Sequence, residues 1–394
     1  MNDKAKLIAI YFPQLHEIPE NNEWWGKGFT DWVNVKAAKQ QYDGHYQPRV
    51  PLNNNYYDQS QLETLRWQIN LAKEHGVYGF CHYHYWFDGK QLLEKPTNLF
   101  LENKDLQMRF CLSWANETWS KRWDGQDHHI LIKQSHPPSK ERWKLHFDYL
   151  IKAWTDDRAI KVDNKPVFII YRPHRIPEID HMLNYWRELA IKNGLPGLYF
   201  IAQKQYEFPN RSCLNEFDAV FEFQPFVSQH RPPESQHRPP ESVNHSLYRK
   251  SRYKLMRVLP EFMQDILRSS KSFVLNSLSK EQLSYYDYEK IWSDIVKVRN
   301  LDEMTTYPGA YVDWDNTARY KDRATIYKDA NPERFEYWLG ELIKSMPSRD
   351  IPEPYIFLNA WNEWAECAYL EPDHKYEYKY LEAMKKVLTK NEDS

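Results

Sequence analysis

Glycine is scarce in this chain, at 11 of 394 residues. Phosphate-cradling loops and dinucleotide folds need clustered glycines, because only a bare backbone can approach a phosphate closely. No Gly-rich turn opens the chain, so a nucleotide-binding doubly wound sheet is disfavoured. Cysteine is rarer still: Cys81, Cys111, Cys213 and Cys367 are widely spaced, with no CxxC. That removes a zinc framework and a disulfide scaffold. Cys81 and Cys111 fall within apolar runs, where a thiol acts as a small apolar group. Long hydrophobic stretches are also missing, which excludes an integral membrane segment of helical type. The N-terminal Met-Asn-Asp-Lys-Ala-Lys leads straight into an apolar strand with no leader-like stretch. The expectation is a cytoplasmic protein. Finally, no charge sign dominates: 53 Lys and Arg oppose 55 Asp and Glu, a net charge of −2. Nothing points to nucleic acid as a partner.

Aromatic residues, by contrast, are abundant. The chain carries 16 Trp, 28 Tyr and 18 Phe, yet its mean hydropathy is −0.83. Rings at this density in a polar sequence are expected in half-exposed grooves, where a flat apolar face can stack on a ligand.

Short apolar runs recur eight times: 7–13, 77–87, 108–119, 167–173, 198–204, 219–225, 309–317 and 355–366. Helical periodicity fills most gaps, over 59–75, 140–154, 180–193, 333–345 and 376–388, with apolar residues three and four apart. Gly76, Gly194 and Pro332 sit where helices should stop or start. Eight strand-then-helix units predict a single (β/α)8 barrel spanning residues 1–394. One stretch breaks the pattern. The heptad Gln-His-Arg-Pro-Pro-Glu-Ser occurs twice in tandem, at 229–235 and 236–242. It reads as an exposed loop within an insertion, about 226–300, between the sixth and seventh strands, which is placed to lid the site.

In a barrel the chemistry sits where strands end. The last run supplies the strongest candidates there, Glu363 and Glu366, interleaved with Trp361, Asn362 and Trp364. Glycosidic bond cleavage needs a proton for the leaving oxygen and a second carboxylate to assist. Two carboxylates this close can flank one sugar, one deprotonating its 2-hydroxyl and the other protonating the leaving group. Their mutual repulsion raises one pKa, which suits acid–base work near neutrality. The plain alternative is a surface Glu pair opening a helix.

Other strand ends offer sugar-binding groups. Glu222 lies near the end of the sixth run, and Glu117 follows Trp114 and Asn116; Glu117 either binds sugar or pairs with Arg122. His82 and His84 share one strand face. They are expected to bind hydroxyls, or else to pack in the core; as metal ligands they lack an obvious third partner. Arg172 follows the fourth run, suited to an anionic or hydroxylated group. Asp313, Asp315 and Asn316 present an Asp-x-Asp, a spacing used to hold a divalent metal but equally a hydroxyl-binding loop. His16 lies in the loop just past the first run, and Trp25 lies in a segment with three Trp in nine residues, suited to ring stacking or to packing over the barrel.

With these residues laid out, the chain resembles the WbsX-like family of bacterial surface-polysaccharide proteins, related to glycoside hydrolase family 99. The motifs run in order along the chain: Tyr11-Phe-Pro-Gln-Leu-His16, Trp24-Trp-Gly-Lys-Gly-Phe-Thr-Asp-Trp32, Gly44-His-Tyr-Gln-Pro48, Trp114-Ala-Asn-Glu117, Arg122-Trp-Asp-Gly125, Lys165-Pro-Val167, Trp314-Asp-Asn-Thr317 and Asn359-Ala-Trp-Asn-Glu-Trp-Ala-Glu366. The resemblance implies a (β/α)8 barrel without a cofactor, acting on an oligo- or polysaccharide with α-manno-configured sugars such as mannose or rhamnose. It implies that Glu363 is the base on the 2-hydroxyl, through an anhydro-sugar, and Glu366 the acid/base at the leaving group. Cys367 stands where the family has glycine. Family members are often labelled glycosyltransferases of O-antigen or capsule synthesis, so a sugar-nucleotide transferase using Asp313 and Asp315 is the competing function. A non-catalytic glycan-binding barrel is the third. Oligomeric state is left open.

Overall fold

The computed structural model describes residues 5–121, 126–206, 208–230, 283–297 and 304–390. The tandem heptads lie almost wholly outside the described residues, and so does most of the 226–300 insertion. Within that insertion the helices Phe226–His230 and Tyr288–Val296 are described.

Nine strands form the wall: β1 Lys6–Tyr11, β2 Gly79–Phe87, β3 Arg109–Trp114, β4 Lys165–Ile170, β5 Tyr199–Lys204, β6 Ala219–Glu222, β7 Thr305–Tyr307, β8 Gly309–Tyr311 and β9 Tyr355–Asn359. They pair in parallel in the order β7-β6-β5-β4-β3-β2-β1-β9-β8. Strands β7 and β8 are two halves of one stave, separated by Pro308, which cannot donate to a ladder. The first half pairs with β6 and the second with β9, so the interrupted stave closes the ring. The eight predicted runs thus correspond to the eight staves of a (β/α)8 barrel.

Each predicted helix is present, as Leu62–Glu74, Lys140–Trp154, Ile179–Lys192, Pro332–Ser345 and Lys379–Lys390. Local chemistry explains their starts: Ser139 accepts from the Arg142 amide, and Asn331 accepts from the Arg334 amide with Pro332 at the first helical position. A further helix, Lys95–Glu102, follows β2. After β5 the helix is replaced by a short turn, Arg211–Leu214.

Strand parity separates two cores. Inside the barrel, Ile8, Ile10, Cys81, Cys111, Ile169, Ile201 and Phe357 stack into a closed plug. On the other face Leu7, Ala9, Phe80, Leu112 and Phe168 pack against the helices, including Leu65, Ile69 and Leu150. Both faces of each strand are therefore apolar, as parallel barrel strands require. Above the plug, the inward parity continues to Tyr83, Tyr85, Tyr171, Gln205, Phe223 and Asn359, which line an open cavity at the C-terminal ends of the strands.

Glycine does specific work at the seam. A Cβ at Gly309 would lie 1.8 Å from the Glu222 carbonyl oxygen, a backbone atom that cannot move aside. Gly340, inside a helix, has only Val387 Cγ1 at 3.8 Å from the same position. We expect Gly309→Ala to destabilise by ~3 kcal/mol or more, at the upper end for overpacking. Gly340→Ala should stabilise by ~0.5–1 kcal/mol through helix propensity. Urea unfolding followed by circular dichroism tests both signs.

Candidate active site

The cavity above the plug has a volume of about 390 Å³. Glu363 and Glu366 both face it. They are brought together by a short turn: Trp364–Glu366 is one turn of 3₁₀-helix, with Glu363 as its N-terminal flank. The turn sets both carboxylates on the cavity side. The hairpin pairing of Asn362–Glu363 with Ala368–Tyr369 closes the turn. Cys367 ends it at φ +56°, in the left-handed region that glycine enters without cost. The cysteine is accommodated as a buried side chain, with its Sγ 3.2 Å from Gln47 Nε2.

Between the carboxylates sits Arg319. Its Nη2 donates to Glu363 Oε1 at 2.7 Å and to Asp31 Oδ2 at 2.6 Å, and its Nη1 lies 2.8 Å from Glu366 Oε1. Arg319 rides on the short helix Thr317–Tyr320, whose start is fixed by the Thr317 amide donating to Asp315 Oδ1. Asp31 opens the helix Asp31–Ala37 and is fully buried. Burial raises the pKa of Glu363 well above the ordinary carboxylate value; Arg319 opposes the shift, and Glu366 and Asp31 add to it. Burial raises Glu366 as well, again against Arg319. Glu366 is the more open of the two, its side chain 19% exposed against 8%.

Aromatic and polar groups complete the lining. Trp25 faces the cavity and stacks on Phe29 with ring centres 5.7 Å apart. Glu117 and Arg172 face it together, joined at 2.7 Å, with the guanidinium 4.6 Å from the centre of the Tyr171 ring. Arg172 is therefore a partner of Glu117; Arg122 lies outside the described residues. Asn316 also lines the cavity, its Oδ1 accepting from the Thr325 amide.

Other sequence candidates lie elsewhere. His82 and His84 do share a strand face, but it is the face toward the helices. His82 bonds Thr97 Oγ1 and packs among Tyr11 and Phe100, while His84 Nε2 is 2.8 Å from His146 Nε2. Burial lowers both pKa values to about 3, so both rings are neutral. Trp114 is on the same outer face, its Nε1 donating to the Trp86 carbonyl. His16 is buried beside the first loop with its pKa lowered to about 4 by burial, outside the lining. Glu222 is buried at the end of β6, also outside it. Asn116 ties Arg172 in place through its backbone, accepting from the amide at 2.8 Å and donating to the carbonyl at 3.0 Å. Asn362 does the same for Phe12, and Trp364 stacks on Tyr369 and donates to Glu371. Asp313 and Asp315 point away from the cavity and pair with Arg49 and His45, each at 2.7 Å. Among the described residues no cluster of three or more acidic, His or Cys side chains is arranged to hold a metal.

Sequence reasoning missed Arg319, Asp31, Tyr83 and Tyr85. The alternation around His82 and His84 contained the two tyrosines, but two apolar faces give no phase. Arg319 had a weaker signal: two buried carboxylates require a cation, and several arginines could have supplied it.

A family model described as "Glycosyltransferase WbsX" matches residues 7–384. The chain belongs to the WbsX family. Two curated relatives from Xanthomonas campestris pv. campestris, strains ATCC 33913 and B100, each described as "Uncharacterized protein WxcX", are 34% identical over 390 residues. Those residues are 99% of this chain and 50% of each relative, so this WbsX-family chain spans about half the length of the curated relatives it matches. Among solved structures, the GH99 endo-alpha-mannosidase from Bacteroides thetaiotaomicron, in complex with bis-tris-propane, superposes with a TM-score of 0.56 at 12% identity, covering 100% of this chain and 98% of that one. A "Glycoside hydrolase-like protein" follows at 0.54 and 13%, covering 98% and 94%. At that identity the likeness establishes the shared barrel fold. Among the described residues no helix is long and apolar enough to cross a membrane.

Removing Arg319 tests the electrostatics. Arg319→Met leaves three carboxylates around an uncompensated site, which costs ~3–5 kcal/mol when all are ionised. The folded-state pKa values of Glu363 and Glu366, already raised, rise further. The groups then favour the folded state below their unfolded pKa, and that contribution is lost as pH rises through the folded value. We expect the variant's deficit in urea unfolding to be large above neutrality and to shrink as the pH falls toward 5.

Proposed function

We propose that this WbsX-family barrel acts on α-manno-configured glycosidic linkages, of mannose or rhamnose, in bacterial surface polysaccharide or its precursors, with net retention of configuration. The observation that carries this reading is that Glu363 and Glu366 face one aromatic-lined cavity while sharing a single guanidinium. In the proposed sequence the Glu363 carboxylate takes the proton of the sugar 2-hydroxyl as O2 attacks C1. The bond from C1 to the leaving oxygen breaks, and that oxygen takes the proton held by Glu366. A 1,2-anhydro sugar is the intermediate. Water or an acceptor hydroxyl then attacks C1, giving its proton to Glu366, while O2 recovers its proton from Glu363.

Burial raises both carboxyls, Glu363 the further, which suits acid–base work near neutrality but does not divide the roles. The roles follow the family resemblance, and the greater exposure of Glu366 suits a group that meets the leaving group and the incoming acceptor. Tyr83 and Tyr85 remain neutral phenols, because burial pushes their pKa values far up, and can donate to sugar hydroxyls. Trp25 offers a stacking face at the same cavity.

Transfer to a sugar acceptor instead of water fits the same carboxylates and agrees with the family description. A manganese-dependent transfer from a nucleotide sugar is less well supported, since Asp313 and Asp315 point out of this cavity and each already holds a cationic or imidazole partner. The test is hydrolysis or transfer on α-mannosyl and α-rhamnosyl oligosaccharides in EDTA. Glu363→Gln and Glu366→Gln should each lower kcat by ~10²-fold or more while remaining folded. For Glu366→Gln, an aglycone needing no proton should recover much of the first step. Full turnover by either folded variant would overturn the assignment.

A further inference from the structure

Two cavities share one wall. In the segment that leaves β8, Trp314 and Asn316 line the carboxylate cavity, whereas Asp313 and Asp315 line a second cavity on the other side. This second space has a volume of about 480 Å³, and nothing in the proposed reaction uses it. It is large enough for a pyranose with a substituent.

Its surface combines three kinds of group. The floor is built from the buried pairs Arg49–Asp313 and His45–Asp315. Both are held before any ligand arrives: Arg49 also donates to the Tyr46 carbonyl, and Gln47 donates to Asp315. The walls carry the rings of Tyr42, Tyr46, Tyr327 and Tyr376. At the rim stand Lys328 and Lys375. The Lys328 ammonium is 3.9 Å from the centre of the Tyr285 ring, and that of Lys375 is 4.8 and 4.7 Å from those of Tyr46 and Tyr376. Among the described residues, neither ammonium has a carboxylate partner; both rest on ring faces.

Each group narrows the ligand. Tyrosine faces take the apolar face of a pyranose ring. Fixed carboxylates and a guanidinium at the floor are oriented partners for hydroxyls. Two ammonium groups at the mouth, beside an Asp329 that Arg334 approaches at 3.9 Å, leave the rim positive and call for negative charge. A neutral sugar would leave the lysines unused, and a simple inorganic anion would leave the ring walls and most of the volume unused. We propose that this second cavity binds an anionic sugar, a pyranose bearing a phosphate or a carboxylate, independently of the chemistry at Glu363 and Glu366.

The test is titration of the full chain, by calorimetry, with glucose 1-phosphate, glucuronate, glucose and inorganic phosphate. At least one anionic sugar should bind at millimolar concentration or tighter, and more tightly than glucose or phosphate. Lys328→Gln with Lys375→Gln should weaken that binding by about tenfold or more, as should Tyr376→Ala, with circular dichroism confirming each fold. Glu363→Gln should leave it unchanged. The proposal is overturned if neither anionic sugar binds, or if inorganic phosphate binds as well as the sugars. It is also overturned if binding survives the lysine and tyrosine changes but is lost in Glu363→Gln, which would place the ligand in the carboxylate cavity.

Discussion

The site depends on one guanidinium. Asp31, Glu363 and Glu366 come from opposite ends of the chain, and each is too buried to be ionised at low cost without a cation. Arg319 reaches all three at 2.6–2.8 Å. It thereby fastens the loop after β1, the segment after β8 and the turn after β9 to one point. A buried ion cluster of this kind contributes little net stability compared with apolar packing, but its loss leaves charges with nowhere to go. Its value is in position: the carboxylates are held where the barrel's inward-facing aromatics end.

Around that point the barrel is built in layers. The plug of Ile8, Ile10, Cys81, Cys111 and Ile201 closes the bottom, and the next residues of the same parity form the cavity floor and walls. The same alternation that packs the core therefore sets the depth of the site. The segment after β8 extends the logic past the strand. Its successive side chains face two cavities in turn, one holding the carboxylate pair and the other the Arg49–Asp313 and His45–Asp315 pairs. The backbone between them is anchored to the turn that carries Glu363 and Glu366, because the Asp315 amide donates to the Glu366 carbonyl at 2.9 Å.

Much of the architecture could be read from the chain before any coordinates. Eight apolar runs became eight staves, and helices such as Lys140–Trp154 appeared with the expected bounds. The seventh stave was seen only from Gly309; its first half, Thr305–Tyr307, precedes a proline that hid it. Of the candidates, Glu363, Glu366, Glu117 and Arg172 line the cavity, where motif and strand end coincide. Strand position alone did not tell which candidates face it. His82, His84 and Trp114 looked like site residues because they are polar or aromatic at strand ends, yet they face the helices. Asn116, Asn362 and Trp364 carry site-like chemistry but spend their hydrogen bonds and ring contacts on holding the loops.

The sequence alone determined the barrel, because periodicity and punctuation are local properties written along the chain. It also determined that two carboxylates would stand three residues apart at a strand end. Tertiary structure decided which face of each strand looks inward, since two apolar faces carry no sign. It chose Arg319 over every other arginine as the shared cation, and it turned Asp313 and Asp315 away from the site. Those choices rest on distances between residues tens to hundreds of positions apart, and only the closed ring of strands brings such residues within hydrogen-bonding reach.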